Sequence, residues 1–112
     1  MNVIDWKKQQ SVDNPHGVDV RLLHEANEVV VSHIVLKPGE SLRNHITMVD
    51  ALFLVLEGTG ILHIGDETQE VSEGLLVVSP KKIPHFWQND SDSVVRVLVI
   101  KTPKPEGKGK LL

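Results

Sequence analysis

Short runs of aliphatic and β-branched residues recur along most of the chain, and turn-forming residues separate them. The runs cover residues 29–36, 52–56, 61–64, 75–78 and 94–100. Glycine, proline, asparagine or aspartate stands between each run and the next, as is usual where strands end in tight turns. Short strands at this spacing are typical of antiparallel sandwiches and barrels. The pattern therefore predicts an all-β fold with antiparallel strands.

The pattern is weaker near the N-terminus. Apolar residues between positions 22 and 30 are compatible with one stripe of a helix, but a strong strand signal follows immediately. We therefore predict a strand over 19–23 and a turn over 24–28. Residues 1–18 are interpreted as a separate N-terminal segment, in which we expect an edge strand at 3–6 and a loop at 14–17.

Several predicted strands are apolar on both faces. In the run 52–56, Phe53 and Val55 lie on one face while Leu52, Leu54 and Leu56 lie on the other. The run 94–100 behaves in the same way. One face of each strand fills the core, so the second face needs another sheet or another subunit to cover it. We therefore expect a homodimer.

Composition and charge narrow the functional classes. The chain has 112 residues, no cysteine and a formal net charge of −3, so a metal site would consist of histidine, carboxylate and water ligands. Most of the lysine excess lies in the last residues, and we interpret 102–112 as a basic, flexible tail. The remaining body is acidic, which disfavours nucleic-acid binding. The sequence has no membrane-length apolar run and no signal-peptide pattern, so we predict no membrane partner and a cytoplasmic location.

Two segments carry a recognisable spacing of glycine, histidine and proline. The first runs from Gly39 to Gly58 and includes His45, Thr47 and Ala51. The second runs from Gly74 to Asn89 and includes Pro80, Lys82 and His85. These segments resemble the two motifs of the cupin superfamily, and the resemblance covers residues 28–101. It implies a double-stranded β-helix (jelly-roll) barrel, which we place at residues 19–101. The second motif usually has glycine where Lys82 stands, so we expect that turn to differ slightly.

The resemblance also implies a metal site and shows where this chain departs from it. Metal-binding cupins use two histidines and a glutamate of the first motif and the histidine of the second. The corresponding residues here are His45, Thr47, Ala51 and His85. Alanine cannot bind a metal, and a neutral threonine hydroxyl is a poor ligand. Two of the four ligand positions remain, and the resemblance implies that they would hold a divalent Fe, Mn, Ni or Zn ion.

Three other residues are candidates for completing that site. His63 lies in an otherwise apolar strand between the two motifs, and His33 lies in the strand before the first motif. Asp50 is next to the missing glutamate, but strand alternation turns it to the opposite face unless a bulge intervenes. We rank His63 first and predict a metal set of His45, His85 and His63. The alternative for each candidate is an ordinary structural role.

The same strands supply a predicted pocket. Trp87 is two residues from His85, and Phe53 shares a face with Ala51, so both are expected to wall the cavity. The replacements at Thr47 and Ala51 enlarge this cavity and make it less polar, which suits a small, partly apolar ligand. Lys81 and Lys82 either attract an anionic ligand or are simply solvated loop charges. His16 and His24 are interpreted as loop residues.

Two functions remain open at this point. The resemblance implies either a metal-dependent enzyme of the dioxygenase, isomerase or decarboxylase type, or a metal-free module that binds a small metabolite or sugar. Loss of half the ligand set favours the second. Motifs for serine nucleophiles, phosphate loops and dinucleotides are missing from the sequence, which disfavours those chemistries.

Overall fold

The computed structural model describes residues 1–107 and 109–112, and its architecture confirms the all-β prediction. Within these residues a short 3₁₀ helix, Trp6–Lys8, precedes the strands. In chain order the strands are β1 (Asp19–Glu25), β2 (Val30–Leu36), β3 (His45–Ile46), β4 (Asp50–Glu57), β5 (Thr59–Ile64), β6 (Glu67–Ser72), β7 (Leu76–Ser79), β8 (His85–Gln88), β9 (Val95–Thr102) and β10 (Lys110–Leu111).

The strands form two antiparallel sheets of five strands each. The first sheet has the order β1-β2-β9-β4-β7, and the second has the order β10-β3-β8-β5-β6. Most neighbours in each sheet are distant in sequence, so the chain crosses repeatedly from one sheet to the other. This is the double-stranded β-helix arrangement expected from the two motifs. Residues 28–101 supply most of it, with β1 as one edge of the first sheet.

Strict alternation of inward and outward side chains places the core between the sheets. In β4 the buried residues are Ala51, Phe53 and Val55, and in β9 they are Val95, Val97 and Val99. Trp87 of β8 is the largest fully buried side chain, and its ring fits because Gly60 of the neighbouring strand β5 has no side chain. A Cβ atom on Gly60 would lie 2.8 Å from the Trp87 ring, closer than van der Waals contact permits.

The N-terminal segment differs from the prediction. Residues 3–6 do not form an edge strand: the chain bends into the 3₁₀ helix, and the side chain of Asp5 accepts a hydrogen bond from the backbone N–H of Lys7. The Trp6 ring stacks on His33 with centroids 4.1 Å apart, so packing against the first sheet decides this conformation. The predicted loop at 14–17 is a turn in the structure.

The C-terminal segment also departs from the interpretation as a flexible tail. Strand β10 pairs with β3, with Lys110 opposite Ile46 and Leu111 opposite His45. The backbone N–H of Leu112 then donates to the carbonyl oxygen of Asn44. The backbone of β3 has an edge on which this segment pairs. Such a long-range pairing cannot be seen in the polar composition of the tail.

The turn before His85 has a left-handed backbone at Lys82, where the second motif usually has glycine. Lys82 has φ of 66°, the left-handed region in which glycine is normally found. Lys82 therefore has a backbone conformation that favours glycine, and the expected difference of this turn from the usual motif stays a prediction. The conformation costs about 1 kcal/mol for a residue with a Cβ atom.

None of the helical segments in the described part of the chain has the length and apolarity needed to cross a membrane.

Candidate functional site

A cavity of about 720 Å³ opens between the two sheets at the end where β3, β8 and β9 meet the N-terminal loop. Its volume lies in the usual range for small-molecule sites. All four residues predicted to wall a pocket contribute to it: Thr47, Ala51, Phe53 and Trp87. His45 and His85 line it as well. The cavity is mostly apolar, and polar side chains of the N-terminal loop and of β2, β3, β8 and β9 also line it.

Neighbouring strands bring His45 and His85 together. They are directly opposite each other in the β3–β8 pair, and their Nε2 atoms are 3.2 Å apart. The rings meet edge to face, with centroids 4.6 Å apart. The Phe53 ring packs on His85 at 5.3 Å and on Trp87 at 5.6 Å, which fixes the wall beneath the pair.

The partners of the two imidazoles determine where their protons lie. Nδ1 of His45 is 2.9 Å from the carbonyl oxygen of Arg43, which can only accept, so this nitrogen carries the hydrogen. Nε2 of a neutral His45 therefore accepts, and Nε2 of His85 donates to it. Thr47 Oγ1 lies 3.1 Å from the same His85 nitrogen. His85 then accepts through Nδ1 from the hydroxyl of Ser79, at 2.6 Å.

These donor and acceptor assignments also give the buried hydroxyl of Ser79 a hydrogen-bond partner. Ser79 is fully buried and lies opposite Ala51 in the β4–β7 pair, so its hydroxyl hydrogen needs a protein acceptor. His85 Nδ1 is that acceptor. The opposite tautomer of His85 would leave the hydroxyl hydrogen unpaired, at a cost of about 1–3 kcal/mol.

Burial keeps both imidazoles neutral. Desolvation, followed by the nearby charges of His45, Lys101 and His16, lowers the pKa of His85 to about 4. Burial also lowers the pKa of His45, although its hydrogen bond to the Arg43 carbonyl opposes this. At neutral pH the pair is an uncharged unit whose hydrogen bonds run from Ser79 through His85 to His45.

His63 does not join this pair, contrary to the prediction. It is opposite Phe86 in the β5–β8 pair and stacks on its ring at 4.2 Å. It therefore lies on the outer face of the second sheet, whereas His85 and Trp87 lie on the inner face. Its ring nitrogens contact Gln88 and Thr68, at 3.0 and 3.1 Å.

The other two candidates for completing the site also lie elsewhere. His33 faces outward from the first sheet, where Arg96 donates to its Nε2 atom at 2.9 Å. Asp50 is exposed and accepts a hydrogen bond from the backbone N–H of Lys81 at 2.9 Å. Asp50 therefore has a structural role at the start of β4, which was the alternative to metal binding. Neither residue, and neither Lys81 nor Lys82, lines the cavity.

The structure instead brings His16 to the cavity. Its ring lies 4.9 Å from that of His45, and its Nδ1 atom accepts from the backbone N–H of Arg43 at 2.8 Å. Burial and the charges of His45, Lys101 and Arg43 lower its pKa to about 4. No sequence signal places this loop residue, because the contact joins segments 27 residues apart.

Lys101 is the second residue that the sequence interpretation missed. It follows Val95, Val97 and Val99 on the inner face of β9, and it lines the cavity. It lies opposite Ala51 in the β4–β9 pair. Burial lowers its pKa. The signal was present, because the inward alternation of β9 extends to position 101, but the predicted strand ended at residue 100.

The donor set does not fit a resident metal ion. Among the described residues there is no group of three or more histidine, cysteine or carboxylate side chains placed to hold one. A metal on His85 Nε2 would also displace the proton that this nitrogen donates and leave the Ser79 hydroxyl unpaired. The ammonium of Lys101 adds positive charge to a cavity in which metal-binding relatives of this fold are expected to have a carboxylate.

Comparison with known proteins identifies the family. Residues 32–101 match the cupin domain family. The chain belongs to the cupin family. It is 27% identical over 88 residues to the uncharacterized protein MJ0764 of Methanocaldococcus jannaschii, covering 78% of this chain and 76% of that protein.

Solved cupin-like structures show the same fold over almost the whole chain. The crystal structure of MJ0764, an RmlC-like cupin with a double-stranded β-helix, matches with a TM-score of 0.75 and 24% identity, covering 93% of this cupin and 95% of that chain. The polyketide cyclase RemF of Streptomyces resistomycificus gives a TM-score of 0.86 and 21% identity, covering 100% and 85%. TT1209 of Thermus thermophilus gives 0.80 and 24%, covering 94% and 100%. At these identities the matches establish the fold.

Proposed function

We propose that this cupin binds a small, partly apolar organic molecule in its cavity and does so without a metal ion. The observation that carries the proposal is that both ring nitrogens of His85 already have hydrogen-bond partners in the protein. Ser79, His85 and His45 satisfy one another in sequence, and the pair presents neutral imidazoles to an apolar space of about 720 Å³. Such a pocket recognises shape and one or two polar groups of a ligand.

The walls define the shape of that ligand. Ile34, Met48 and Val99 join Phe53 and Trp87 around the cavity. Polar side chains also line it, including Asn14 of the N-terminal loop, Ser32 of β2 and Lys101 of β9. Because the lining is mostly apolar, a ligand with an apolar body and a polar end fits better than a sugar, whose hydroxyl groups all need partners.

A cavity-filling substitution tests the proposal. Chelator-treated protein is screened by thermal shift and isothermal titration calorimetry against a library of small apolar acids, amides and alcohols. Ala51→Met, which fills the cavity from a fully buried position, should abolish the binding found in the wild type. Ala26→Met, the same change at a half-buried turn position that does not line the cavity, is the matched control and should leave binding unchanged.

Metal dependence is the outcome that would contradict this function. Protein purified without a tag or chelator is measured by elemental analysis after incubation with Fe, Mn, Ni and Zn. Near-stoichiometric metal that falls sharply in both His45→Ala and His85→Ala would overturn the metal-free proposal. It would favour the metal-dependent enzyme of the dioxygenase, isomerase or decarboxylase type instead.

We also propose that a second copy of the chain covers the outer apolar face of the first sheet. Val78 and Leu76 of β7 are 60% and 55% exposed. They lie opposite Leu52 and Leu54 of β4, whose other neighbours are Ile100 and Leu98 of β9. A continuous apolar face of this kind is usually a subunit interface, and a twofold dimer pairs it with itself. A monomeric mass by light scattering at micromolar concentration would contradict the dimer, and Val78→Glu should convert a dimer to monomers.

A further inference from the structure

We infer that Lys101 forms an anion subsite in the cavity and that the ligand is a small carboxylic acid, whose carboxylate binds the Lys101 ammonium. This inference rests on the proposed small-molecule cavity and deepens it by naming the ligand class. The register of β4 and β9 places Lys101 opposite Ala51, the position at which metal-binding cupins have a glutamate. A lysine cation occupies the neighbourhood of the missing metal ligand.

The ammonium lacks a counter-ion within the described residues. The one acidic residue that lines the cavity is Asp13, which is exposed in the N-terminal loop. Burial is the cause that lowers the pKa of Lys101, without an opposing carboxylate. The ion pairs formed by the described residues lie elsewhere and join Arg21 to Asp19, Arg96 to Glu57 and Lys104 to Glu25.

The Lys101 ammonium also complements such a ligand in hydrogen bonding. An ammonium can only donate, and an ionised carboxylate can only accept. The cavity therefore presents, at Lys101, a donor that a carboxylate complements.

The surrounding charges favour an anion and disfavour a cation. The positive charge of Lys101 lowers the pKa values of His16, His45 and His85, after the larger effect of burial. Its field therefore reaches all three imidazoles. A bound carboxylate would offset this field in an apolar space, where a buried ion is stable only when it is paired.

Binding measurements with acid and amide pairs test the inference. The probes are benzoate with benzamide and hexanoate with hexanamide, titrated calorimetrically in the presence of chelator into the wild type, Lys101→Met and Lys104→Met. We expect the acids to bind the wild type and to lose about tenfold or more in affinity in Lys101→Met, since a buried charge pair is broken. Lys104→Met is the matched control, because Lys104 is exposed and pairs with Glu25, and it should bind as the wild type does.

Restoring the missing glutamate gives an independent test. Ala51→Glu places a carboxylate opposite Lys101 and should abolish binding of added acids, because the internal carboxylate pairs with the ammonium. Ala51→Gln has the same size without the charge, and it should retain more binding than Ala51→Glu. Circular dichroism and thermal melts show whether each variant is folded.

The outcomes separate this inference from the proposed function. Amides that bind as tightly as their acids, or acid affinity unchanged in Lys101→Met, would overturn the anion subsite while leaving the cavity as a binding site. Acids that fail to bind the wild type would overturn it too. Ala51→Met reports on the cavity itself: if filling the cavity leaves binding intact, the ligand binds elsewhere and the proposed function fails.

Discussion

Two clusters in this cupin combine a buried imidazole with a cation, and they differ in how the charge is matched. On the outer face of the first sheet, Arg96 donates to His33 and to the carboxylate of Glu57, at 2.9 and 2.7 Å. Trp6 closes this cluster by stacking on His33. Inside the cavity, Lys101 lies near His16, His45 and His85 without a carboxylate partner. The cation of the first cluster is paired with a carboxylate, although Nδ1 of His33 has no hydrogen-bond partner among the described residues. The cation of the second cluster has no carboxylate partner among those residues.

The comparison shows why similar pKa shifts have different meanings. The pKa values of His33 and His85 are both lowered to about 4, in each case mainly by burial. Near His33 the charge of Arg96 lowers the pKa further, and Asp19 partly offsets this. Near His85 the other causes are the protonated forms of His45 and His16 and the Lys101 ammonium, and no carboxylate opposes them. A lowered histidine pKa therefore does not by itself distinguish a binding site from a structural cluster. The distinguishing feature is whether the neighbouring cation has a carboxylate partner.

Acid should produce the largest effect, because it acts on both clusters at once. The pKa values of His16, His33 and His85 are about 4 in the folded chain and about 6.5 in an exposed histidine. Between these values the unfolded chain binds protons that the folded chain does not, so stability falls as the pH is lowered from about 6.5 to 4. Thermal melts should show the midpoint falling throughout this window.

Titration of individual histidines sharpens the same prediction. By NMR, a saturating carboxylate probe such as benzoate should raise the pKa of His85 and leave that of His33 unchanged, because only the cavity gains a negative charge. A constant melting midpoint between pH 6.5 and 4 would contradict the burial of these imidazoles as neutral groups. Equal responses of His33 and His85 to the probe would contradict the difference between the clusters.

Removing Trp6 should be the next largest change. Trp6→Ala loses the stack on His33 and the contacts with Arg21 and Arg96, whose guanidinium carbons lie 5.2 and 5.0 Å from the ring centroid. We expect a loss of about 2 kcal/mol in the free energy of unfolding for this half-buried aromatic side chain. Urea unfolding measures the loss, and Trp6→Phe should recover part of it. A change below about 0.5 kcal/mol would mean that the outer cluster does not anchor the N-terminal segment.

Local and long-range features explain how much the sequence could predict. The strands at 52–56 and 94–100, the pairing of His45 with His85 and the apolar walls follow from alternation and motif spacing. The wrong face for His63 reflects a limit of that method, because alternation gives the relative facing of residues within one strand but not which face meets the core. His16 and strand β10 depend on contacts between distant segments, which periodicity does not contain.

Replacing Lys101 of the cavity and Arg96 of the outer cluster by methionine should change the free energy of unfolding in opposite directions. Lys101→Met replaces an unmatched buried charge with an apolar side chain of similar length, so the free energy of unfolding should rise by about 1 kcal/mol. Arg96→Met breaks a matched cluster and should lower it by about 1 kcal/mol. Urea unfolding at pH 7 measures both. Destabilisation of similar size in both variants would mean that Lys101 has a structural partner, and the contrast between the clusters would fail.

The smallest effect on stability is expected where the cavity is closed by the chain itself. Leu111 lines the cavity, and its segment is held by the two-residue β10–β3 pair and by the hydrogen bond from Leu112 to Asn44, whereas Trp6 is held by a stack and two guanidinium groups. Leu111→Ala should therefore cost about 0.5 kcal/mol or less of unfolding free energy. It should nevertheless speed the release of benzoate a few-fold, because it opens one wall of the site, and stopped-flow measurements would record this. Leu112→Ala, whose exposed side chain does not line the cavity, is the control. If Leu111→Ala lost as much unfolding free energy as Trp6→Ala, the C-terminal segment would anchor the fold as Trp6 does. The expected difference between the cavity and the outer cluster would then fail.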